Sequence, residues 1–147
     1  MNAAIDGMTD EQIASQPPVE GSGLTTVDRY YLAWAGYQQR GAEPNGVDLS
    51  KYLGEKGVVG RNGRAAAAST LRRYLLPFRI YSVWAEHRLR REQPSLIAVA
   101  EACAARGITL QYNEPITAAT IAEHAADCER CWHAVIRHRT DAAAQSR

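Results

Sequence analysis

Apolar side chains recur at intervals of three and four residues along most of the chain, a spacing that predicts amphipathic helices. The first segment, residues 25–40, has an apolar face made of Val27, Tyr30, Tyr31, Trp34 and Tyr37. The same period returns in residues 49–56, 69–76, 78–92, 95–106 and 117–139. Pro77 is expected either to end its helix or to kink it, because proline lacks an amide donor. The expected core of the first helices is Tyr30, Trp34, Leu49, Leu53, Leu71, Leu75, Phe78, Tyr81 and Trp84.

Two connections between these helices carry turn-forming or strand-forming residues. The glycine-rich VVGRNGRA, residues 58–65, is expected to form either a loop or a tiny hairpin that turns at Asn62-Gly63. ITLQYNEP, residues 108–115, is the most strand-like piece of the chain, but it is short. Alanine, leucine, arginine and glutamate are good helix formers and are plentiful. The predicted fold class is therefore all-α, with a minor β-hairpin left open.

The order of these segments predicts four parts. Residues 1–23 are polar and end in QPPVEGSG, so we expect a mobile N-terminal tail. Residues 24–92 form a first helical unit and residues 93–138 form a second one. Residues 139–147 are polar and are expected to fray as a C-terminal tail.

A repeat of fifty residues relates the two predicted helical units. LSKYLGEKGV at 49–58 falls on VAEACAARGI at 99–108, so that Gly57 matches Gly107 without any gap. Thirteen residues after each glycine stands a threonine followed by an aliphatic residue. Two interpretations are open, a structural repeat or a chance match between helices of similar composition. Where the first copy has Arg72, Arg73, Tyr74 and Arg79, the second has Ala122, Glu123, His124 and Glu129.

The net charge of +1 hides a strongly uneven distribution. Residues 51–91 contain ten lysines and arginines against only two carboxylates, a net charge of +8. The rest of the chain has seven basic and fourteen acidic residues and carries −7. Such a basic segment indicates a polyanionic partner, and the carboxylates of the second copy suit packing or subunit pairing instead.

The stretch ASTLRRYLLPFRIY, residues 68–81, combines an apolar helix face with cations on the other side. Its apolar face consists of Leu71, Leu75 and Phe78. Ser69 and Thr70 stand in the first turn, where free amides and hydroxyls suit a phosphate. Arg72 and Arg73 follow them, and an arginine can donate two hydrogen bonds to guanine in the major groove. These residue types favour contact with double-stranded DNA.

Part of the chain resembles a known family at this point. STLRRYL, residues 69–75, is similar to the second helix of bacterial helix-turn-helix repressors, and LSKYLGEKGV resembles their supporting first helix. The likeness covers residues 49–75 at superfamily level, and it implies that residues 24–92 form a helix-turn-helix unit that reads the major groove. Such families join the two helices by three or four residues, whereas about twelve separate Gly57 from Thr70 here. The insert is therefore expected to act as a basic loop.

Pattern and resemblance together predict a sequence-specific double-stranded DNA-binding protein that regulates transcription. The predicted DNA-binding residues are Ser69, Thr70, Arg72, Arg73 and Arg79, with Lys56, Arg61 and Arg64 as phosphate contacts. Residues 93–138 would support this unit and form the contact of a homodimer, since two-fold symmetric repressors bind paired half-sites.

Two other functions remain open. The same basic surface suits an adaptor that binds another protein, and EHRLRRE at 86–92 is also typical of a solvated helix face with internal ion pairs. An accessory factor of DNA recombination or replication would use the same helices.

The cysteines and histidines of the last predicted helix leave three interpretations. HAADCERCWHAVIRH, residues 124–138, places His124, Cys128 and Cys131 on one helix face, and Cys103 is available from the preceding helix. Zinc takes four nitrogen and sulfur ligands, which makes a zinc site one alternative. Free cysteine is among the most buried residue types, so a packed thiol core is the main interpretation. Redox chemistry is the third.

Several classes of protein are disfavoured. No run of about 18 apolar residues appears, which predicts no membrane span. The N-terminus lacks a signal pattern, and three cysteines do not suit a secreted disulfide framework, so we expect a cytoplasmic protein. The sequence has no phosphate-binding loop, GxSxG or HExxH pattern, and neither an enzyme nor a cofactor is predicted.

Overall fold

The computed structural model describes residues 24–60 and 63–145, with side chains as far as residue 140. Its α-helices are α1 (Thr26–Tyr37), α2 (Gly46–Glu55), α3 (Ala68–Arg88), α4 (Leu96–Ala105) and α5 (Ala118–Gln145). Two 3-10 turns lie at Gln38–Arg40 and Gln111–Asn113. The all-α class is confirmed for this part of the chain. The predicted N-terminal tail, residues 1–23, lies outside the described residues.

Side-chain caps decide where the first two helices begin. The hydroxyl of Thr25 accepts the amide of Asp28 at 3.1 Å, and the Asp28 carboxylate accepts the amide of Thr25 at 3.0 Å. Asn45 and Asp48 form the same reciprocal pair at the start of α2. These capping boxes satisfy amides that have no partner within the helix. Because Asn45 is the cap, α2 begins at Gly46, three residues before the start predicted from periodicity.

Helix α3 runs through Pro77 without a break in its assignment. Of the two outcomes expected for this proline, an end of the helix is therefore wrong. A proline inside a helix donates no hydrogen bond to the carbonyl four residues before it, which here belongs to Arg73. Helix α5 likewise continues to Gln145, beyond the position where the sequence predicts fraying.

The two connections of interest differ in how they turn. In the described part of 58–65, the amide of Gly60 donates to the carbonyl of Arg64 at 2.9 Å, and the residues form a loop without strands. The turn position Asn62 lies outside the described residues. In 108–115, Thr109 and Pro115 form an isolated antiparallel bridge, which makes this strand-like segment a minimal hairpin.

The described chain divides into two compact units. The first unit contains residues 24–73 and 133–145, and the second contains residues 74–132. The divisions fall inside α3 and α5, so the units have other bounds than the continuous ranges 24–92 and 93–138.

Each unit has its own apolar interior. Fully buried side chains of the first unit are Leu32, Trp34, Leu49, Tyr52, Leu53, Val58 and Leu71. The cluster of the second unit consists of Ile80, Val83, Trp84, Val99, Ala100, Cys103, Ile116, Ile121 and Cys128. Seven of the nine predicted core residues are buried, whereas Leu75 and Tyr81 are half-buried.

The fifty-residue repeat is confirmed by the bounds of the helices. Helices α2 and α4 begin at 46 and 96 and end at 55 and 105. Helices α3 and α5 begin at Ala68 and Ala118. When the sequence is aligned with itself at this offset, α1 corresponds to residues 76–87 of α3, and Trp34 corresponds to Trp84. Each copy is thus a set of three helical segments in the same order.

The backbone after each repeated helix follows the same path. Gly57 and Gly107 both end their helix with a left-handed conformation, at φ of 70° and 74°. The next amide closes on the carbonyl of residue 53 in one copy and residue 103 in the other, at 3.0 Å in both. Both ends are Schellman motifs, a common way for a helix to end at a glycine.

Glu129 of α5 forms hydrogen bonds with two side chains of α3 within the second unit. Its carboxylate accepts the indole N–H of Trp84 at 2.9 Å and the Nε–H of Arg88 at 2.7 Å. The Arg88 guanidinium also lies 5.8 Å from the ring centroid of Trp132. Trp84 is almost fully buried, so its indole donor needs this acceptor.

Replacing Glu129 by alanine is expected to lower the free energy of unfolding by about 2 kcal/mol, because the variant leaves Trp84 and Arg88 without their charged acceptor. Glu123→Ala is the control, since Glu123 is an exposed carboxylate on the same helix. We expect that variant to stay within about 0.5 kcal/mol of the wild type in urea denaturation. Equal effects of the two substitutions would contradict this role of Glu129.

Candidate nucleic-acid interface

The first two turns of α3 separate apolar from basic side chains sharply. Leu71 is 0% exposed, and Ser69, Thr70, Arg72 and Arg73 are all exposed. Successive residues of a helix point about 100° apart, and in this turn of α3 Leu71 points into the interior while the residues on either side of it point toward solvent. The four predicted binding residues of this segment are therefore brought together on one accessible surface.

Arg72 and Arg73 differ from other arginines of α3 in their surroundings. Within the described residues, neither of them forms a hydrogen bond or an ion pair through its side chain. Arg88, by contrast, pairs with Glu129. Two positive charges at the start of α3 are thus left without a carboxylate from the described part of the molecule.

The stretch 86–92 behaves differently from the start of α3. Glu86 pairs with Arg106, the residue that follows α4, and Arg88 pairs with Glu129 of α5. The ion pairs that the sequence suggested within this segment are therefore formed with residues outside it.

Close backbone contacts hold the starts of α2 and α3 together in the first unit. The hydroxyl of Ser50 donates to the carbonyl of Ala66 at 2.7 Å. A Cβ built on Gly46 would lie only 2.7 Å from the carbonyl oxygen of Ala68, so the absence of a side chain at 46 permits this approach. The helices are joined by the twelve residues 56–67, the long connection that the sequence predicts.

The predicted phosphate contacts have varied surroundings. Lys56 is half-buried, with its ammonium 5.5 Å from the ring centroid of Tyr52. Arg64 is exposed, and Arg61 lies outside the described residues. Arg79 is half-buried and belongs to the second unit, so the structure does not bring it into the unit of Arg72 and Arg73.

Arg40 is a further basic residue of the first unit, which lies against α2 and was not among the predicted binding residues. Its guanidinium lies 5.1 Å from the ring centroid of Tyr37 and 4.6 Å from that of Tyr52. A pocket of about 140 Å³ beside it is lined by Tyr37, Arg40, Asp48, Lys51, Tyr52 and Glu55. Two carboxylates share this lining with two cations, so the pocket is not a simple anion site. No spacing rule connects Arg40 with Tyr52, because their contact depends on how α1 packs on α2.

The second copy of the repeat lacks the cationic surface. Ala122 and Glu123 occupy the positions of Arg72 and Arg73, and both are exposed. His124, in the place of Tyr74, forms a hydrogen bond through Nδ1 with the carbonyl of Thr120 at 3.0 Å. The same helical frame thus carries a basic start in one copy and an acidic one in the other.

The cysteines are packed in the interior. Cys103, Cys128 and Cys131 are 0%, 1% and 2% exposed, and the first two belong to the apolar cluster of the second unit. No three histidine, cysteine or acidic side chains in the described residues are arranged to hold a metal ion. The packed thiol core is confirmed for Cys103 and Cys128, and the zinc alternative finds no support among these residues.

Burial also suppresses the reactivity of the thiols. It raises the pKa of Cys128 to about 12, with smaller contributions from the nearby Cys131 and Asp127, and it raises the pKa of Cys103. Because the thiolate is the reactive form of cysteine, these groups are poor nucleophiles at neutral pH. The redox alternative is accordingly disfavoured.

Comparison with known proteins yields no relative of this chain. No protein-family model matches it. No curated protein and no solved structure matches it either. Among the described residues, every helix is too short or too polar to cross a membrane. The functional inference therefore rests on the chemistry of the chain itself.

We predict that stability falls as the pH rises from about 9 toward 12. The Cys128 thiol has an ordinary pKa of 9.0 and a native pKa of about 12, so over this interval the unfolded chain loses a proton that the native chain keeps. The corresponding slope is at most about 1.4 kcal/mol per pH unit. Urea denaturation of the wild type and Cys128→Ala at several pH values measures it.

The variant serves as the control for the other groups that titrate in this range, including Tyr81, whose pKa burial raises to about 12. We expect a shallower decline in Cys128→Ala than in the wild type. Identical pH profiles for the two proteins would show that Cys128 is not protonated more strongly in the native state.

Proposed function

We propose that the chain is a cytoplasmic protein that binds double-stranded DNA through the start of α3 and regulates transcription. The observation that carries this proposal is the exposure of Arg72 and Arg73, without an ion pair to described residues, beside a completely buried Leu71. Two adjacent like charges contribute little to the stability of the protein itself. A bound polyanion, in contrast, would accept hydrogen bonds from both guanidinium groups. The three free cysteines suit the reducing cytoplasm.

The polar groups at the start of α3 have the chemistry that duplex recognition requires. Hydroxyls of Ser69 and Thr70 can donate to a backbone phosphate, which fixes the position of the protein. A guanidinium can donate two hydrogen bonds to the O6 and N7 of guanine, which specifies the base. In this proposal α3 is the recognition helix of a helix-turn-helix unit, with α2 as its support.

The charges of the two compact units support the same assignment. Residues 1–73 and 133–147, the whole of the first unit, contain eleven basic and nine acidic residues, a net charge of +2. Residues 74–132 contain six basic and seven acidic residues, a net charge of −1. The unit that contains Arg72 and Arg73 therefore carries the net charge of the sign that attracts phosphate.

The proposal includes a homodimer contact in residues 93–138. This region exposes large apolar side chains in the second unit, among them Ile97 at 63% and Tyr112 at 87%. Paired subunits would present two copies of α3 to two half-sites of the DNA.

Binding should depend steeply on salt. In a mobility-shift assay with random duplexes, we expect the logarithm of the affinity to fall with the logarithm of salt concentration, with a slope of about −0.9 per phosphate contact. The cause is the release of cations from the phosphates that the protein neutralises. No shift of any duplex at low salt would contradict DNA binding and would favour the protein-interaction adaptor.

Replacing Arg72 and Arg73 together by alanine is expected to abolish the preference for a selected duplex over a random one. The matched control is Arg90→Ala with Arg91→Ala, which also removes two adjacent exposed arginines but from the second unit. This control should retain the preference and lose only part of the overall affinity. Arg64→Ala should weaken all duplexes alike, as expected for a phosphate contact.

Loss of preference in both double variants would indicate that total charge, and not the start of α3, determines recognition. Competition titrations at constant salt with the selected and the random duplex give the ratio of affinities directly.

A further inference from the structure

Gly46, the first residue of α2, lies against the side chain of Arg72. A Cβ built on Gly46 would stand 2.8 Å from Cγ of Arg72 and 3.4 Å from its Nε. It would also stand 2.7 Å from the carbonyl oxygen of Ala68. A separation below 3.0 Å is essentially never found for a real Cβ, so any larger residue at 46 must displace both the Ala68 carbonyl and the Arg72 side chain, or move away from them.

This contact restricts the direction that Arg72 can take. The aliphatic part of the Arg72 side chain passes directly over the backbone of Gly46, because no side chain at 46 occupies that space. Long arginine side chains commonly pack their stems on a surface and keep the charged head in water. Packing of the stem reduces the number of rotamers, so less conformational entropy is lost when the guanidinium binds.

The second copy of the repeat shows the opposite combination of residues. Leu96 stands at the position of Gly46, and Ala122 stands at the position of Arg72. In the first copy, glycine at the start of α2 is combined with arginine on α3. In the second copy, leucine at the start of α4 is combined with alanine on α5. The pairing of glycine and arginine occurs in the copy that carries the basic surface.

We propose that Gly46 is a positioning residue that orients Arg72 toward a base edge or phosphate of double-stranded DNA. This proposal rests on the DNA-binding function proposed above. Gly46 contributes no donor or charge of its own, and it acts through the space that it leaves for Arg72. Substitution at 46 should consequently reduce affinity by misdirecting Arg72, in addition to any effect of displacing the Ala68 carbonyl.

Gly54 provides a matched control on the same helix. A Cβ built there meets nothing within 4 Å, so Gly54→Ala adds the same methyl group to α2 without touching α3. We expect Gly46→Ala to lower affinity for the selected duplex about tenfold, the loss that corresponds to one good arginine contact, and Gly54→Ala to leave it unchanged.

A double-mutant cycle separates positioning from general damage to the fold. Gly46→Ala is introduced into the wild type, into Arg72→Ala and into Arg73→Ala, and each affinity is measured at one salt concentration. The substitution should cost clearly more affinity beside Arg73→Ala than beside Arg72→Ala, because in the latter only the clash with the Ala68 carbonyl remains. An effect of equal size in all three backgrounds would mean that the clash with Ala68 accounts for all of it, and this result would overturn the proposal.

The wild-type protein offers a test that does not depend on the folding of a variant. Nitrogen relaxation of the arginine side chains should show the Nε–H of Arg72 to be more ordered than that of Arg73. Equal mobility of the two groups would overturn the positioning role while leaving DNA binding intact. If the wild type binds no duplex, the proposed function fails, and the role of Gly46 fails with it.

Discussion

The complete burial of Leu71 at the start of α3 is the constraint on which the proposed binding surface depends. Leu71 is fully enclosed while the next two residues, Arg72 and Arg73, are exposed, so the apolar face of α3 is narrow at this point. Phe78, also fully buried, fixes the same helix again beyond Pro77. Hydrophobic burial thus presents the two guanidiniums to solvent, without any contribution from attraction between charges.

The repeat shows that this framework does not by itself require a basic surface. Ile121 is buried in the second copy as Leu71 is in the first, yet the following residues are alanine and glutamate. Further along the second copy, Glu129 holds Arg88 and Trp84 and so contributes to the interior of its unit. The same arrangement of helices is therefore compatible with a basic surface in the first copy and an acidic one in the second. The exposed arginines at 72 and 73 are a feature of the first copy and are not required by the fold.

Local patterns predicted most of the fold, and contacts between distant residues account for what they missed. Apolar periodicity located the helices, and a fifty-residue offset anticipated the second copy because both depend only on spacing along the chain. The start of α2 was predicted three residues too late, because the apolar period begins at Leu49 whereas the side chain that caps the helix belongs to Asn45. The contact of Gly46 with Arg72 was invisible for another reason, since the sequence between them does not reveal which ends of α2 and α3 meet.

The most direct test compares the two copies within one molecule. Backbone amide chemical shifts can be followed while a duplex is added, with residues 118–123 serving as the internal reference for residues 68–73. If the start of α3 binds DNA, the shifts of 68–73 will change in a saturable and salt-dependent manner, while those of 118–123 will remain nearly constant. Equal changes in both segments, or none in 68–73, would contradict this binding.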